Sequence, residues 1–407
     1  MAKPCGSDCN LHCAYCYYLE RAALYPDGAR HRMSDEILEQ YVVDYIGAIH
    51  EDEEVAFTWQ GGEPTLQGLD FYRRAVALQA EHGRGRHITN SFQTNGLLID
   101  EDWCSFLAEH DFLVGLSLDG PAAIHDEYRV TRGGNPSHDL VLRALRLLQK
   151  HGVRYNVLAC VNRRSATEPL EVYRFLRDAG ARYIQFLPVV ERTQPTVGST
   201  AKIQLAPPPA GSAHDLPQRE GLVTPWSVGP ADYGHFLNAI FDEWIKRDVG
   251  RVFVMNIEWA LANYMDRPGA VCHHRPTCGR SLVMEHNGDV YACDHYAYPD
   301  YLLGNITNQP LSAMADAPSQ EQFGRDKFAL LPDECRRCKV LKACWGGCPR
   351  HRFIPTDDSR RLNYLCVGLR RFFEHVTPYM AGMSRLLAQG RPASDIMQAT
   401  LVFQKPR

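Results

Sequence analysis

The stretch CNLHCAYC, residues 9–16, carries thiols at Cys9, Cys13 and Cys16. Three thiolates on one short loop can hold a four-iron cluster and leave one iron without a protein ligand, open to the amino and carboxylate groups of a substrate. An open iron is a catalytic site. The competing chemistry is zinc, which asks for four nitrogen or sulfur ligands, usually a close cysteine pair matched with a distant second pair. Here it would have to recruit His12 or Cys5.

Outward from this loop, residues 34 to about 188 alternate helical and extended patterns. Ser34 is a plausible N-cap, and the apolar side chains of Ile37, Leu38, Tyr41, Val42 and Tyr45 recur at helical spacing. Strands are expected at 55–60, up to about 93, and at 112–117, 155–160 and 183–187, with helices over about 70–81, 102–108, 140–150 and 170–177. A short strand just before Cys9 would bring the number to about six. Six strands with crossover helices predict an α/β fold, a partial (β/α)6 TIM-like barrel. The motifs then fall at strand C-termini, where such sheets put their chemistry: the cysteine loop, Gly61-Gly62-Glu63-Pro64, Gln93-Thr94-Asn95-Gly96 and Ser117-Leu118-Asp119-Gly120.

Farther on, 191–230 is rich in Pro, Gly, Ser and Thr and reads as an insertion on a first domain of 1–230. Residues 231–271 read as a helical linker, 272–370 as a cysteine-rich domain, and 371–407 as a C-terminal helical segment and tail. The groups Cys272-x5-Cys278-x14-Cys293 and Cys335-x2-Cys338-x5-Cys344-x3-Cys348-x17-Cys366 supply eight thiols, enough for two fully ligated clusters or for two structural zinc sites. Cys104 and Cys160 sit inside helix and strand patterns as small hydrophobes. His273 and His274 adjoin Cys272 and could replace a ligand, but eight cysteines suffice.

Bulk properties narrow the class. Of 407 residues, 45% are hydrophobic and 23% charged, with a formal net charge of -4. This is ordinary globular usage, without the basic footprint of a nucleic-acid binder. No apolar run approaches a spanning helix, and the N-terminus lacks the apolar stretch of an export signal. Fourteen cysteines without such a signal point to a reducing cytoplasm and to metal ligation rather than disulfides.

CNLHCAYC with Tyr15 before its last cysteine, followed by GGEP, resembles the radical S-adenosylmethionine superfamily. By that resemblance the Gly61-Gly62-Glu63 backbone holds the methionine amino group, and Tyr15, Asn95 and Ser117 belong to the cofactor site. The second cysteine region, with Gly288 five residues before Cys293, resembles the SPASM domain. The stretches WQGGEPTL, QTNGLLID, FLVGLSLDGP, Cys293-Asp294-His295 and LNYLC resemble the anaerobic sulfatase-maturing enzymes. That family's pattern implies three [4Fe-4S] clusters: one on Cys9, Cys13 and Cys16, one on Cys272, Cys278, Cys293 and Cys348, and one on Cys335, Cys338, Cys344 and Cys366.

The implied reaction oxidises a sulfatase's Cys or Ser to formylglycine by removing a β-hydrogen atom. A base must also take the thiol or hydroxyl proton, and the resemblance assigns that role to Asp294. Gln60 is expected to face the substrate. Implied partners are an unfolded or nascent sulfatase and a flavodoxin- or ferredoxin-type electron donor, with no nucleic acid and no membrane. The alternative enzyme is a SPASM maturase that crosslinks a ribosomal peptide. Eight residues precede Cys9, which leaves no room for the leader-binding domain many of those carry. A zinc-binding adaptor would leave the open thiol site and the strand-end motifs unexplained.

Overall fold

The structure, a computed structural model, describes residues 1–21, 25, 31–193, 205–208, 223–267 and 271–398. Most of the expected insertion (194–204 and 209–222) and the end of the tail lie outside the described residues. At the insertion's base, bridges join Arg192 to Val223 and Thr193 to Leu205.

In chain order the main elements are α1 (Tyr18–Arg21), α2 (Asp35–Ala48), β1 (Val55–Trp59), α3 (Leu69–Gly83), β2 (Ile88–Thr94), α4 (Glu101–Glu109), β3 (Leu113–Ser117), α5 (Ala122–His125), α6 (His138–Lys150), β4 (Arg154–Val161), α7 (Pro169–Asp178), β5 (Tyr183–Pro188), α8 (Pro230–Arg247), β6 (Phe253–Val254) and α9 (Met255–Tyr264). Then come β7 (Val283–Met284), β8 (Asp289–Tyr291), β9 (Leu302–Asn305), α10 (Leu311–Ala315), α11 (Pro318–Ala329), α12 (Asp333–Arg336), α13 (Leu341–Cys344), β10 (Arg352–Pro355), β11 (Arg361–Asn363) and α14 (Cys366–Ala388). Two compact units result. One comprises Met1–Leu118, His125–Asn156 and Gly279–Gly324; the other Asp119–Ile124, Val157–Cys278 and Arg325–Arg407.

In the first unit β1, β2 and β3 pair in parallel, Trp59 opposite Phe92 and Thr94 opposite Leu116. In the second, β4, β5 and β6 do the same, Val157 opposite Ile184 and Tyr183 opposite Phe253. The strand order follows the chain. Six parallel strands with crossover helices are the α/β arrangement the sequence predicts, with one change of membership. Residues before Cys9 make no strand, only bridges from Ala2 to Trp59 and Met284, and the sixth strand is β6. Pro4 has no N–H to give a ladder, which limits pairing there.

Local chemistry explains the elements. Ser34 caps α2 by accepting from Ile37 N, and Asp100 caps α4 by accepting from Trp103 N. On β1, Val55, Phe57 and Trp59 are buried, and Trp59 packs edge-on against Tyr41 and Tyr72 at 5.7 Å. Its indole N–H reaches Asn90 Oδ1 at 2.9 Å, and Asn90 and Gln79 bond each other in both directions, so this polar core is satisfied. In the second unit, the stretch read as a linker is α8, β6 and α9. Helix α8 buries Phe236, Ile240, Phe241 and Trp244, and it packs on α14 so closely that Gly234 and Gly368 leave no space for a side chain. No helix among the described residues is long and apolar enough to cross a membrane.

Candidate active site

The cysteine loop lies across the C-terminal ends of β1 and β2. Gly62 N donates to Gly6 O at 2.9 Å and Glu63 N to Asp8 O at 2.7 Å. On its other side, His12 N reaches Val130 O at 2.8 Å, Ala14 N reaches Tyr128 O at 3.0 Å, and Leu11 bridges Thr131. Tyr15 is buried, its ring 6.0 Å from Tyr128 and 5.4 Å from the Arg129 guanidinium, so it anchors the loop to this segment.

The two glycines are required by the chain's own backbone. Gly61 has φ +130°, and a Cβ on Gly62 would stand 2.1 Å from Asp8 O and 2.6 Å from Ser7 O. With the N–H groups of Gly62 and Glu63 already given to Gly6 and Asp8, what this turn can offer a substrate ammonium is carbonyl oxygen. The substitution Gly62→Ala should push Ser7 and Asp8 away and displace Cys9. Reconstituted variant should therefore lose about four irons per chain, one cluster's worth, in an iron assay; an unchanged iron content would show that the loop yields without cost.

Glu63 ties the motifs together. Its fully buried carboxylate accepts from Thr65 N (3.1 Å), Thr65 Oγ1 (2.6 Å), Thr94 Oγ1 (2.8 Å) and Asn95 N (2.7 Å). Burial pushes its carboxyl above the ordinary range, and these bonds oppose that shift. Asn95 in turn donates to Asn10 Oδ1 at 2.7 Å and approaches Cys9 Sγ at 3.6 Å. Ser117 ends β3 in a buried position, and Gln60 is half-buried, its N–H on Ala2 O.

None of the fourteen cysteines is joined to another in a disulfide. Burial, then the charge of Glu63, pushes Cys9 up to about 12, so at neutral pH a metal must take the place of its proton. Among the described residues no three His, Cys, Asp or Glu side chains converge on one point able to hold a single ion. Three thiols share one short loop, and the others fall into sets whose members raise one another, so the donors are the thiolates that cluster corners take. The donor set therefore fits iron-sulfur clusters.

Asp294 sits in a short 3-10 turn directly after Cys293, 9% exposed. Lys3 Nζ stands 2.7 Å and an Arg21 guanidinium nitrogen 3.3 Å from its Oδ1; Tyr17 and Tyr18 donate to Oδ2 at 2.6 and 2.9 Å. Burial raises the carboxyl, but Lys3, Arg21 and His295 outweigh it and hold Asp294 far below the usual carboxylate range. Burial first, and then this carboxylate, keep both phenols protonated. Arg21 lies over the Tyr17 ring at 4.6 Å and Lys3 over the Tyr18 ring at 4.6 Å. None of these four partners was singled out from the sequence. The one available signal was the Tyr17-Tyr18 pair immediately after Cys16.

In the second unit, Cys335, Cys338, Cys344 and Cys366 line one cavity of about 350 Å³, with Glu334, Arg337 and Arg370 among its walls. Burial raises Cys335, Cys344 and Cys366, and each is pushed further by other members of this set. Cys272, Cys278 and Cys348 form a separate group. Burial and then its neighbours Cys348 and Cys272 raise Cys278 to about 12. Cys293 belongs to the first unit, on the turn with Asp294. His274 is buried and His273 half-buried, both packed against Trp259 and each other, and loss of solvent lowers His273 to about 4. Cys104 is buried in α4, Cys160 lies in β4, and Cys5 packs by Pro64 and Gln67.

With this geometry, the chain compares with known proteins as follows. The family model described as the radical SAM superfamily matches residues 4–180, and the SPASM model, an iron-sulfur cluster-binding domain, matches 272–339. A serine-type anaerobic sulfatase-maturating enzyme of Bacteroides thetaiotaomicron is 44% identical over 98% of this chain and 94% of that protein. A cysteine-type enzyme of Clostridium perfringens is 32% identical over 94% of this chain and 97% of its own. Among solved structures, native anSMEcpe with bound AdoMet and Cp18Cys peptide superposes with a TM-score of 0.81 at 31% identity, covering 95% of this chain and 98% of that one.

Proposed function

The chain belongs to the anaerobic sulfatase-maturating enzymes of the radical SAM superfamily, and on that premise we propose that it oxidises a Ser or Cys of an unfolded sulfatase segment to Cα-formylglycine. The observation that carries this reading is the bond from Tyr17, next to the last loop cysteine, to the buried Asp294 carboxylate at 2.6 Å. The thiol loop and the ionised carboxylate share one compact unit, which supports a role for Asp294 as the proton acceptor.

In this reading Cys9, Cys13 and Cys16 hold the substrate-binding cluster, and the backbone of Gly61, Gly62 and Glu63, together with Tyr15, Asn95 and Ser117, forms the S-adenosylmethionine site. When bound there, the cluster and S-adenosylmethionine would supply the hydrogen-atom abstraction at the β carbon. The chain's own task is the other half of the oxidation. Asp294 accepts the hydroxyl or thiol proton, while Cys272, Cys278, Cys293 and Cys348 and the set Cys335, Cys338, Cys344 and Cys366 would hold the two auxiliary clusters, groups able to take up the remaining electron. The contacts that keep Asp294 ionised also lower its basicity; a substrate that displaces Tyr17 or Tyr18 from Oδ2 raises it again. Gln60, at the end of β1, is placed to meet the peptide.

Residues 1–230 then carry the radical chemistry, with 191–230 as an insertion, 231–271 connecting to it, 272–370 carrying the auxiliary clusters and 371–407 forming the C-terminal segment. A flavodoxin- or ferredoxin-type donor supplies electrons, and fourteen cysteines with no disulfide among them suit a reducing cytoplasm. The crosslinking alternative is not favoured, because the relatives that match the chain nearly end to end are sulfatase maturases. Greater identity to the serine-type relative supports a Ser substrate.

The test is the mass of two peptides, one C-x-P-x-R and one with Ser in place of that Cys, incubated anaerobically with reduced enzyme and S-adenosylmethionine. The Ser peptide should lose two hydrogens, and the Cys peptide should also exchange sulfur for oxygen. A crosslinked product, or 5′-deoxyadenosine formed with neither peptide changed, refutes the assignment.

A further inference from the structure

Lys327 is 1% exposed on α11, and among the described residues its ammonium is hydrogen bonded only to main-chain carbonyls, those of Cys272 at 2.6 Å and of Arg275. Among the described residues no carboxylate pairs with it. Arg352, itself buried, donates to the Lys327 carbonyl and to the carbonyls of Trp345, Gly346 and Gly347, adding positive charge near Cys278. An ammonium buried without an anion costs several kcal/mol and is normally neutralised or paired. Cys272, whose carbonyl the ammonium holds, and the neighbouring Cys278 and Cys348 become anionic when they ligate a cluster, and they are the partners this charge can meet.

We propose that Lys327 is the built-in counter-charge of the auxiliary cluster held by Cys272, Cys278 and Cys348, and that it tunes this cluster to accept an electron. This rests on the assignment of those cysteines made above. A four-thiolate cluster is an anion, and one-electron reduction adds a further negative charge without a proton. A fixed cation in a low-dielectric interior lowers the energy of the reduced form more than that of the oxidised form and so raises the reduction potential. Lys327 is thus a positioning residue acting through the cluster, placed where the cluster must take the electron left by hydrogen-atom removal.

The experiment is an electron paramagnetic resonance redox titration of the reconstituted full chain and of Lys327→Met and Lys327→Arg. Lys327→Met should retain full iron while one cluster's midpoint falls by at least about 59 mV, a tenfold change in its reduced-to-oxidised ratio for one electron. The other clusters should not move, and Lys327→Arg should restore most of the shift. A residue that only braces the Cys272–Arg275 turn would leave the potential in place, and full iron with unshifted midpoints in Lys327→Met overturns the proposal. If Lys327→Met loses one cluster's iron, retention in Lys327→Arg supports the counter-charge and loss in both overturns it. Wild-type protein that takes up no iron overturns the cluster assignment and this proposal together, whereas an unshifted, fully loaded variant overturns only Lys327's role.

Discussion

Replacing Cys13 with Ala is expected to abolish 5′-deoxyadenosine formation and, with it, all peptide oxidation. Two thiolates cannot hold a four-iron cluster with the geometry that leaves a single iron open. Iron content should fall from about twelve to about eight per chain as the two auxiliary clusters remain. The defect should be confined to the N-terminal site, because Cys13 lies in the first unit and seven of the eight auxiliary cysteines lie in the second. Continued 5′-deoxyadenosine production by Cys13→Ala would mean that the open iron is held elsewhere, and the functional reading would go with it.

Asp294→Asn should separate the two halves of the reaction. S-adenosylmethionine cleavage persists, because Cys9, Cys13 and Cys16 are untouched, while peptide oxidation drops by roughly 10² to 10⁴, the usual worth of a positioned base. The substitution also removes the carboxylate that offsets Arg21 and one of the two that offset Lys3, the other being Glu285 at 2.9 Å. Breaking a buried pair in this way costs about 3–5 kcal/mol, so the variant should melt earlier. Arg21→Met is the control: it breaks the same pair but keeps the carboxylate, and it should lose stability while still oxidising peptide. Equal loss of peptide oxidation in both variants would assign Asp294 a bracing role only.

The pH dependence has a definite sign. The folded carboxyl of Asp294 is depressed below its unfolded value near 3.9, so its stabilisation is complete above that value. It is lost only as pH falls through the lower folded value. A thermal-melting series in mild acid should therefore show no loss attributable to Asp294 from pH 7 to about 5. The acid limb of the activity profile should not report this residue while Tyr17 and Tyr18 hold it.

What was legible in the sequence is local or periodic. Ser34 announced α2 because an N-cap acts over three residues, and the βα alternation showed because a buried strand and an amphipathic crossover helix differ in period. The strand before Cys9 was misread because apolar pattern and length leave short edges undecided. Ala2 makes only bridges, while the two-residue β6 carries too few side chains to show a period. The glycines of GGEP were legible as a place of close approach, but the sequence suggested a ligand as the thing approached; the structure also puts the carbonyl of Asp8 there.

By itself, the sequence determined the cysteine inventory, the repeated α/β architecture and the family, because ligand spacing and hydrophobic period are written over short runs of chain. Only the tertiary structure decided the electrostatics: which side chains surround Asp294, and that Lys327 lies buried beside Cys272. Tyr17 and Asp294 are 277 residues apart and Lys327 and Cys272 are 55 apart. The physical reason is that charge interactions depend on distance through space and on burial, and neither is encoded in the local pattern around any one of these residues.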